Sequence, residues 1–180
     1  MSRRFDGKIE QLRSESRVKL LEVERVVELS LEKIFVTTVL DVGCGSGLFS
    51  ESFSLRKINV MGIDTNPDMI KAASGYVPSA KFQEALAEKL PFEENSFDLV
   101  FLGHVLHESD DQLLVLKEAR RVAASRVVVL EWPYKDEKIG PPKDHRIKAE
   151  KIKKLSAQAG LRKFEKISLT HMVLYRFDVD

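Results

Sequence analysis

The sequence predicts an α/β fold built on a mainly parallel sheet, with helices on both faces and an antiparallel hairpin at its C-terminal end. Three observations predict it. Short apolar runs alternate with helical patterns from residue 38 onward, a glycine-rich turn joins the first run to a helix, and the tail holds two β-like runs separated by a short turn. Strands that alternate with helices are joined by crossovers and pair in parallel. Two strands joined by so short a turn must pair antiparallel.

In chain order, residues 8–35 set Ile9, Leu12, Val18, Leu21, Val26, Val27, Leu29 and Ile34 at helical spacing among charges. They read as one or two amphipathic helices. We expect residues 1–36 to form an N-terminal helical flank covering one side of the site, within a single domain, 1–180. Strands are expected at 38–42, 59–64, 81–84, 97–102 and 126–131. Asn66-Pro67-Asp68 supplies a capping side chain, a proline for the first turn and an acid for the positive dipole end, so a helix begins there. A further helix is expected at 110–122. The segment 132–144, with Pro133, Gly140, Pro141 and Pro142, reads as a loop. The last helix, 148–159, is closed by Gly160, and the hairpin occupies 163–179 around Thr170-His171.

Composition narrows the function classes. A chain of 180 residues with 43% hydrophobic residues can bury the core of one soluble domain. Its 29 basic and 28 acidic residues nearly cancel, which argues against nucleic acid or an anionic membrane as partner. No run approaches the roughly 20 apolar residues of a membrane span, so a cytoplasmic location is expected. Cys44 is the single cysteine, which excludes an internal disulfide and a multi-cysteine metal site; no metal is expected. Three asparagines and four glutamines against many charged residues is a bias of proteins from hot environments.

The chemistry centres on Val39-Leu40-Asp41-Val42-Gly43-Cys44-Gly45-Ser46-Gly47. Glycines after a buried strand let the backbone turn tightly and approach a ligand closely. A dinucleotide fingerprint needs glycine where Leu48 stands, and a phosphate-cradling loop needs a lysine that does not follow Gly47. Asp41 would repel a pyrophosphate but suits a ligand carrying an ammonium and a sulfonium. Asp64 ends the second strand at the separation from Gly43 at which an acid reaches ribose hydroxyls.

At these residues the chain resembles the class I S-adenosylmethionine-dependent methyltransferases, in the branch of the ubiquinone and menaquinone C-methyltransferases. The resemblance rests on VLDVGCGSG at 39–47, VMGIDTNPDMI at 60–70, LPFEENSFDLVF at 90–101 and HVLHE at 104–108, with GPPKDHRI at 140–147 similar to the late region of small members. It implies a Rossmann-like seven-stranded sheet, with the cofactor S-adenosylmethionine across the ends of the first, second and fourth strands. In that pose Gly43 and Gly45, with Cys44 and Gly47 in the same loop, approach the methionine part, and Asp41 meets its ammonium. Asp64 binds the ribose, Thr65 and Met69 pack near the adenine, Ala87 and Glu88 lie by its edge, and Gly103 and His104 border the methyl group. One departure stands out. Relatives carry an acid where this chain has Leu86, so Glu84, Glu88 or water must receive the adenine amino group.

Methyl transfer from a sulfonium is a direct displacement that an enzyme promotes mainly by positioning, worth up to about 7 to 11 kcal/mol. A base is needed only when the acceptor must lose a proton. His107, with Glu108 beside it, is the catalytic candidate. His145 is expected at the surface, His171 in a structural role, and Trp132 with Pro133 either walls the acceptor site or only packs. Lacking thiolate clusters and a basic patch, the chain is expected to take a small-molecule methyl acceptor rather than arsenite or nucleic acid. Two other classes stay open: a nicotinamide oxidoreductase, disfavoured by Leu48 and Asp41, and a catalytically idle S-adenosylmethionine-binding or regulatory protein. The sequence names neither the acceptor nor the oligomeric state.

Overall fold

The computed structural model describes residues 9–179. One sheet of seven strands organises the chain, in the order β3-β2-β1-β4-β5-β7-β6. These are β1 (Thr38–Val42), β2 (Asn59–Asp64), β3 (Lys81–Glu84), β4 (Phe97–Gly103), β5 (Ala123–Glu131), β6 (Arg162–Ser168) and β7 (Val173–Asp178). The first five pair in parallel, and β7 runs antiparallel to both β5 and β6. The expected hairpin is therefore present, and its second strand is the one inserted beside β5. Strand β5 begins earlier than expected because Ala123 already pairs with Phe97 across a bulge.

Period-two alternation sorts the strand residues into two cores. Leu40, Val42, Val100, Leu102, Val127 and Val129 pack under α5 (Gln112–Val122) and α6 (Ala149–Gln158). Val39, Leu99, Phe101, Val128 and Leu130 face α2 (Val23–Leu31) and α3 (Leu48–Leu55). On that second face the ring of Phe101 contacts Phe49 at 4.7 Å and Phe53 at 5.6 Å between centroids. Removing such a buried ring costs about 3 to 5 kcal/mol.

Helix starts follow the local chemistry. The side chain of Asn66 accepts from the Asp68 amide ahead of α4 (Pro67–Tyr76), and Asp111 caps α5 through the Leu114 amide at 2.9 Å, so that helix starts two residues later than expected. The N-terminal flank is a 3-10 turn, Ile9–Arg13, then α1 (Glu15–Leu21) and α2, broken at Glu22, which adopts φ 48°. Helix α2 has no basic residue in its last turn. Its terminal carbonyls are met instead by two buried arginines of the sheet: Arg126 of β5 donates to Ser30 O and Glu32 O, and Arg176 of β7 donates to Leu29 O and the Glu32 carboxylate. These cations supply the charge that a helix C-terminus favours. Among the described residues, no helix is long and apolar enough to cross a membrane.

The chain leaves β1 toward β2 and β3, then returns to the other side of β1 as β4. Loops after β1 and β4 consequently diverge from one crevice at the carboxyl ends of the strands, where open α/β sheets bind their ligands.

Candidate active site

A cleft of about 1090 Å3 opens at that crevice. Its floor is the glycine loop, 43–47. Gly43 adopts φ 66°, and a Cβ there would lie 2.5 Å from a methyl of Val105, so the loops after β1 and β4 meet without space for a side chain. Gly47 adopts φ 79° and backs onto Ala73 of α4 and Val77 just beyond its end. The loop is also held from the side by Asp64, whose Oδ2 accepts from the Gly45 amide at 2.9 Å while Oδ1 accepts from the Asn66 amide at 2.9 Å. Arg13 of the N-terminal flank donates to Ser46 O and pairs with Glu51, bringing Leu12, Arg17 and Leu21 onto the cleft wall.

At one end, Thr65, Met69, Ala87 and Glu88 form a mixed apolar and acidic shelf beside Asp64. The segment carrying Ala87 and Glu88 is anchored from below. Arg121 donates to Phe92 O and Leu90 O, and Glu118 accepts from the Leu90 amide.

At the other end stand His104, His107, Glu108, Trp132 and Pro141. The backbone amide of His107 donates to Glu131 Oε1 at 3.2 Å, and its Nδ1 lies 2.8 Å from Oε2. Burial alone would lower the imidazole pKa, but the hydrogen bond and charge of Glu131, helped by Glu108, outweigh it and raise it. Burial holds the pKa of His104 well below the ordinary histidine value, and Arg17 adds to this. His104 sits at φ 64°, in the left-handed region that non-glycine residues adopt uncommonly. Trp132 lies between the His104 ring, 5.4 Å away, and the Arg146 guanidinium, 5.5 Å away, with Gly140 pressed against it. It therefore forms part of the wall and of the packing behind it. Arg146 in turn gathers the loop 132–146, donating to Pro133 O, Ile139 O and Pro141 O and pairing with Glu137.

Residues 40–130, which carry the glycine loop, Asp64 and the His104–Glu108 segment, match the family model described as a methyltransferase domain. The chain belongs to the class I S-adenosylmethionine-dependent methyltransferases. It is 37% identical over 99 residues to an uncharacterized methyltransferase of Synechocystis sp., covering 52% of this chain and 47% of that one. Over 85 residues it is 34% identical to a demethylmenaquinone methyltransferase of Chlorobaculum tepidum, covering 47% of this chain and 35% of the relative. The chain thus spans less than half the length of these curated relatives. A solved SAM-dependent methyltransferase from Aquifex aeolicus matches with a TM-score of 0.88 at 25% identity, over 98% of this chain and 100% of the other.

Of the residues singled out in this methyltransferase sequence, Gly43, Cys44, Gly45, Asp64, Thr65, Met69, Ala87, Glu88, Gly103, His104 and His107 line the one cleft. Three do not. Asp41 lies behind the loop, on the strand face turned to α3, where Ser50 Oγ donates to its Oδ2 at 2.6 Å; burial raises its pKa to about 7. Gly47 supports the loop from below. Leu86 is 50% exposed and does not line the cleft; it follows Ala85, whose amide bonds to Asp64 O, and its own carbonyl accepts from the Lys89 amide. Of the two acids that could replace the missing one, Glu88 reaches the cleft and Glu84 does not. Burial also pushes the Cys44 thiol up, leaving it a neutral group in the wall.

His145 and His171 are half-buried and outside the cleft. Sequence reasoning missed Glu131 and Arg17. Glu131 carried a usable signal, an acid at the carboxyl end of an apolar strand, the edge where sites form. Arg17 carried none, since its place depends on how the N-terminal helices fold back.

Proposed function

We propose that the chain transfers a methyl group from S-adenosylmethionine to a small organic acceptor by direct displacement, as a cytoplasmic enzyme. The observation that carries this reading is the two-ended cleft, with the ribose acid Asp64 and an apolar shelf at one end and a buried histidine–glutamate pair at the other. The residues present fit the cofactor. Gly43, Cys44 and Gly45 offer close backbone approach to its methionine part, Asp64 to the ribose, and Thr65, Met69, Ala87 and Glu88 to the adenine. Gly103 and His104 flank the methyl position. Asp41 acts from behind the loop through Ser50, Gly47 keeps the loop's shape, and Leu86 makes no contact.

When bound, the cofactor supplies an electrophilic methyl on a sulfonium. The protein aligns the acceptor with it and excludes water. His107, held in backbone and ring by Glu131, activates the acceptor.

Calorimetric titration tests the cofactor assignment: S-adenosylhomocysteine should bind and NAD should not. Turnover on a panel of small hydroxyl, amine, thiol and carbon-acid acceptors, followed by S-adenosylhomocysteine release, tests the activity. Tighter binding of NAD than of S-adenosylhomocysteine would sink the proposal.

A further inference from the structure

We propose that His104, His107 and Glu131 form a divalent-metal site, taking Zn2+ or a similar borderline ion, that opens on the acceptor end of the cleft. The role given to it below rests on the methyl-transfer reading above. One ligand atom from each residue lies within 4.8 Å of the other two, a spacing that small side-chain movements close to a coordination shell. Two imidazoles and one carboxylate are a donor set that Zn2+ accepts while keeping a position open, and imidazole equally suits Fe2+, Ni2+ and Co2+.

His104 is the independent sign of a ligand. Both of its ring nitrogens are buried without a hydrogen-bond partner among the described residues, whereas buried polar groups are almost always satisfied. Its backbone conformation is strained, and Trp132 backs its ring. His107 Nδ1 lies 2.8 Å from Glu131 Oε2, so an ion shared by the two would sit between them and move them slightly apart. Charges around the cluster are mixed. Glu131 and Glu108 favour a cation, with Glu108 3.8 Å from His107 Nε2, while Arg17 and Arg146 oppose it, the second being offset by Glu137.

Such an ion gives the acceptor a binding point. An acceptor of the form X–H, where X is oxygen, nitrogen or sulfur, coordinates through X and loses its proton to solvent. A remaining lone pair on X then forms the bond to the methyl carbon, and the carbon–sulfur bond breaks with its electron pair kept by sulfur. The products are X–CH3, S-adenosylhomocysteine and one proton. Acceptors able to ligate a metal through the methylated atom are therefore the expected class.

The test uses the full chain stripped with a chelator and dialysed. It is titrated with Co2+, read by visible d–d absorption, and with Zn2+, read by competition with a chromophoric chelator. The parent should take up one equivalent. His104→Ala, which loses no hydrogen bond, should stay folded and weaken uptake by at least about 100-fold, the upper end of what even an outer-shell partner costs. Glu131→Gln should do the same, and His145→Ala and His171→Ala should leave uptake unchanged. A folded parent that binds neither ion, or uptake undiminished in His104→Ala, overturns the site. Calorimetry with S-adenosylhomocysteine on the same sample separates the two readings. Cofactor binding without metal uptake overturns the metal site alone, and metal uptake without cofactor binding supports the site while overturning the cofactor assignment.

Discussion

The amide of Gly45 donates to Oδ2 of Asp64 at 2.9 Å, so the acid proposed for the ribose also sets the position of the loop proposed for the methionine part. A change at Asp64 should then act twice. Asp64→Ala is expected to weaken S-adenosylhomocysteine binding by about 10- to 150-fold, the equivalent of roughly 1.5 to 3 kcal/mol for one hydrogen bond to a charged group, and to lower the melting temperature as well. Calorimetry and thermal melts on the same variant check both. Parent-like affinity in a folded variant would remove Asp64 from the cofactor site.

Two glycines should respond in opposite directions to alanine. At Gly43 the new methyl meets Val105 at 2.5 Å and the backbone has φ 66°, so Gly43→Ala must shift the loop and should abolish measurable cofactor binding. Gly75 lies within α4 with nothing inside 4 Å of the new atom. Gly75→Ala should stabilise the protein by about 0.5 to 1 kcal/mol through helix propensity, measured by urea unfolding with cofactor affinity unchanged.

Asp41 predicts a pH dependence in the unliganded protein. Burial raises its folded pKa to about 7 from an ordinary value of 3.8, so the fold prefers the protonated acid. The stability this group contributes is complete below the unfolded pKa and is lost as pH rises through the folded one. Melting temperature should therefore fall between about pH 4 and pH 8 in the parent by more than in Asp41→Asn. Parallel curves for the two proteins would show that Asp41 titrates normally.

Arg146 should separate the two ends of the cleft. Its side chain is fully buried and holds the loop 132–146 through three carbonyls. Arg146→Ala is expected to cost about 1 to 3 kcal/mol, the range for leaving buried acceptors without their donor. S-adenosylhomocysteine affinity should stay at the parent level, because the loop's cleft-lining residues cluster with Trp132 beside His104 rather than with Asp64. Urea unfolding and calorimetry read the two quantities. A large loss of affinity would place this loop against the cofactor.

Much of this was legible in the chain because the governing signals are local. A strand followed by Gly43-Cys44-Gly45-Ser46-Gly47 needs only short-range sterics to make a loop, and Asn66-Pro67 needs only an N-cap to start α4. The side chains that failed to line the cleft failed for one reason: their direction depends on packing. Asp41 falls on the α3 face by strand alternation, and Leu86 is left exposed in the turn after β3. The pairing of His107 with Glu131 joins residues 24 apart in sequence. It becomes visible only once β5 is placed beside β4.

The arginines that meet the end of α2 also bear on the order in which the protein can form. Leu29, Ser30 and Glu32 emerge early in synthesis, while their partners Arg126 and Arg176 emerge late, Arg176 in the final strand. Until β7 slots in beside β5, Leu29 O and the Glu32 carboxylate lack their Arg176 partner, and the helices that carry Arg17 toward the cleft lack half of this anchor. A ribosome-bound chain can therefore hold a formed glycine loop and still lack a fixed wall on that side. The cleft is finished only when the last strand arrives.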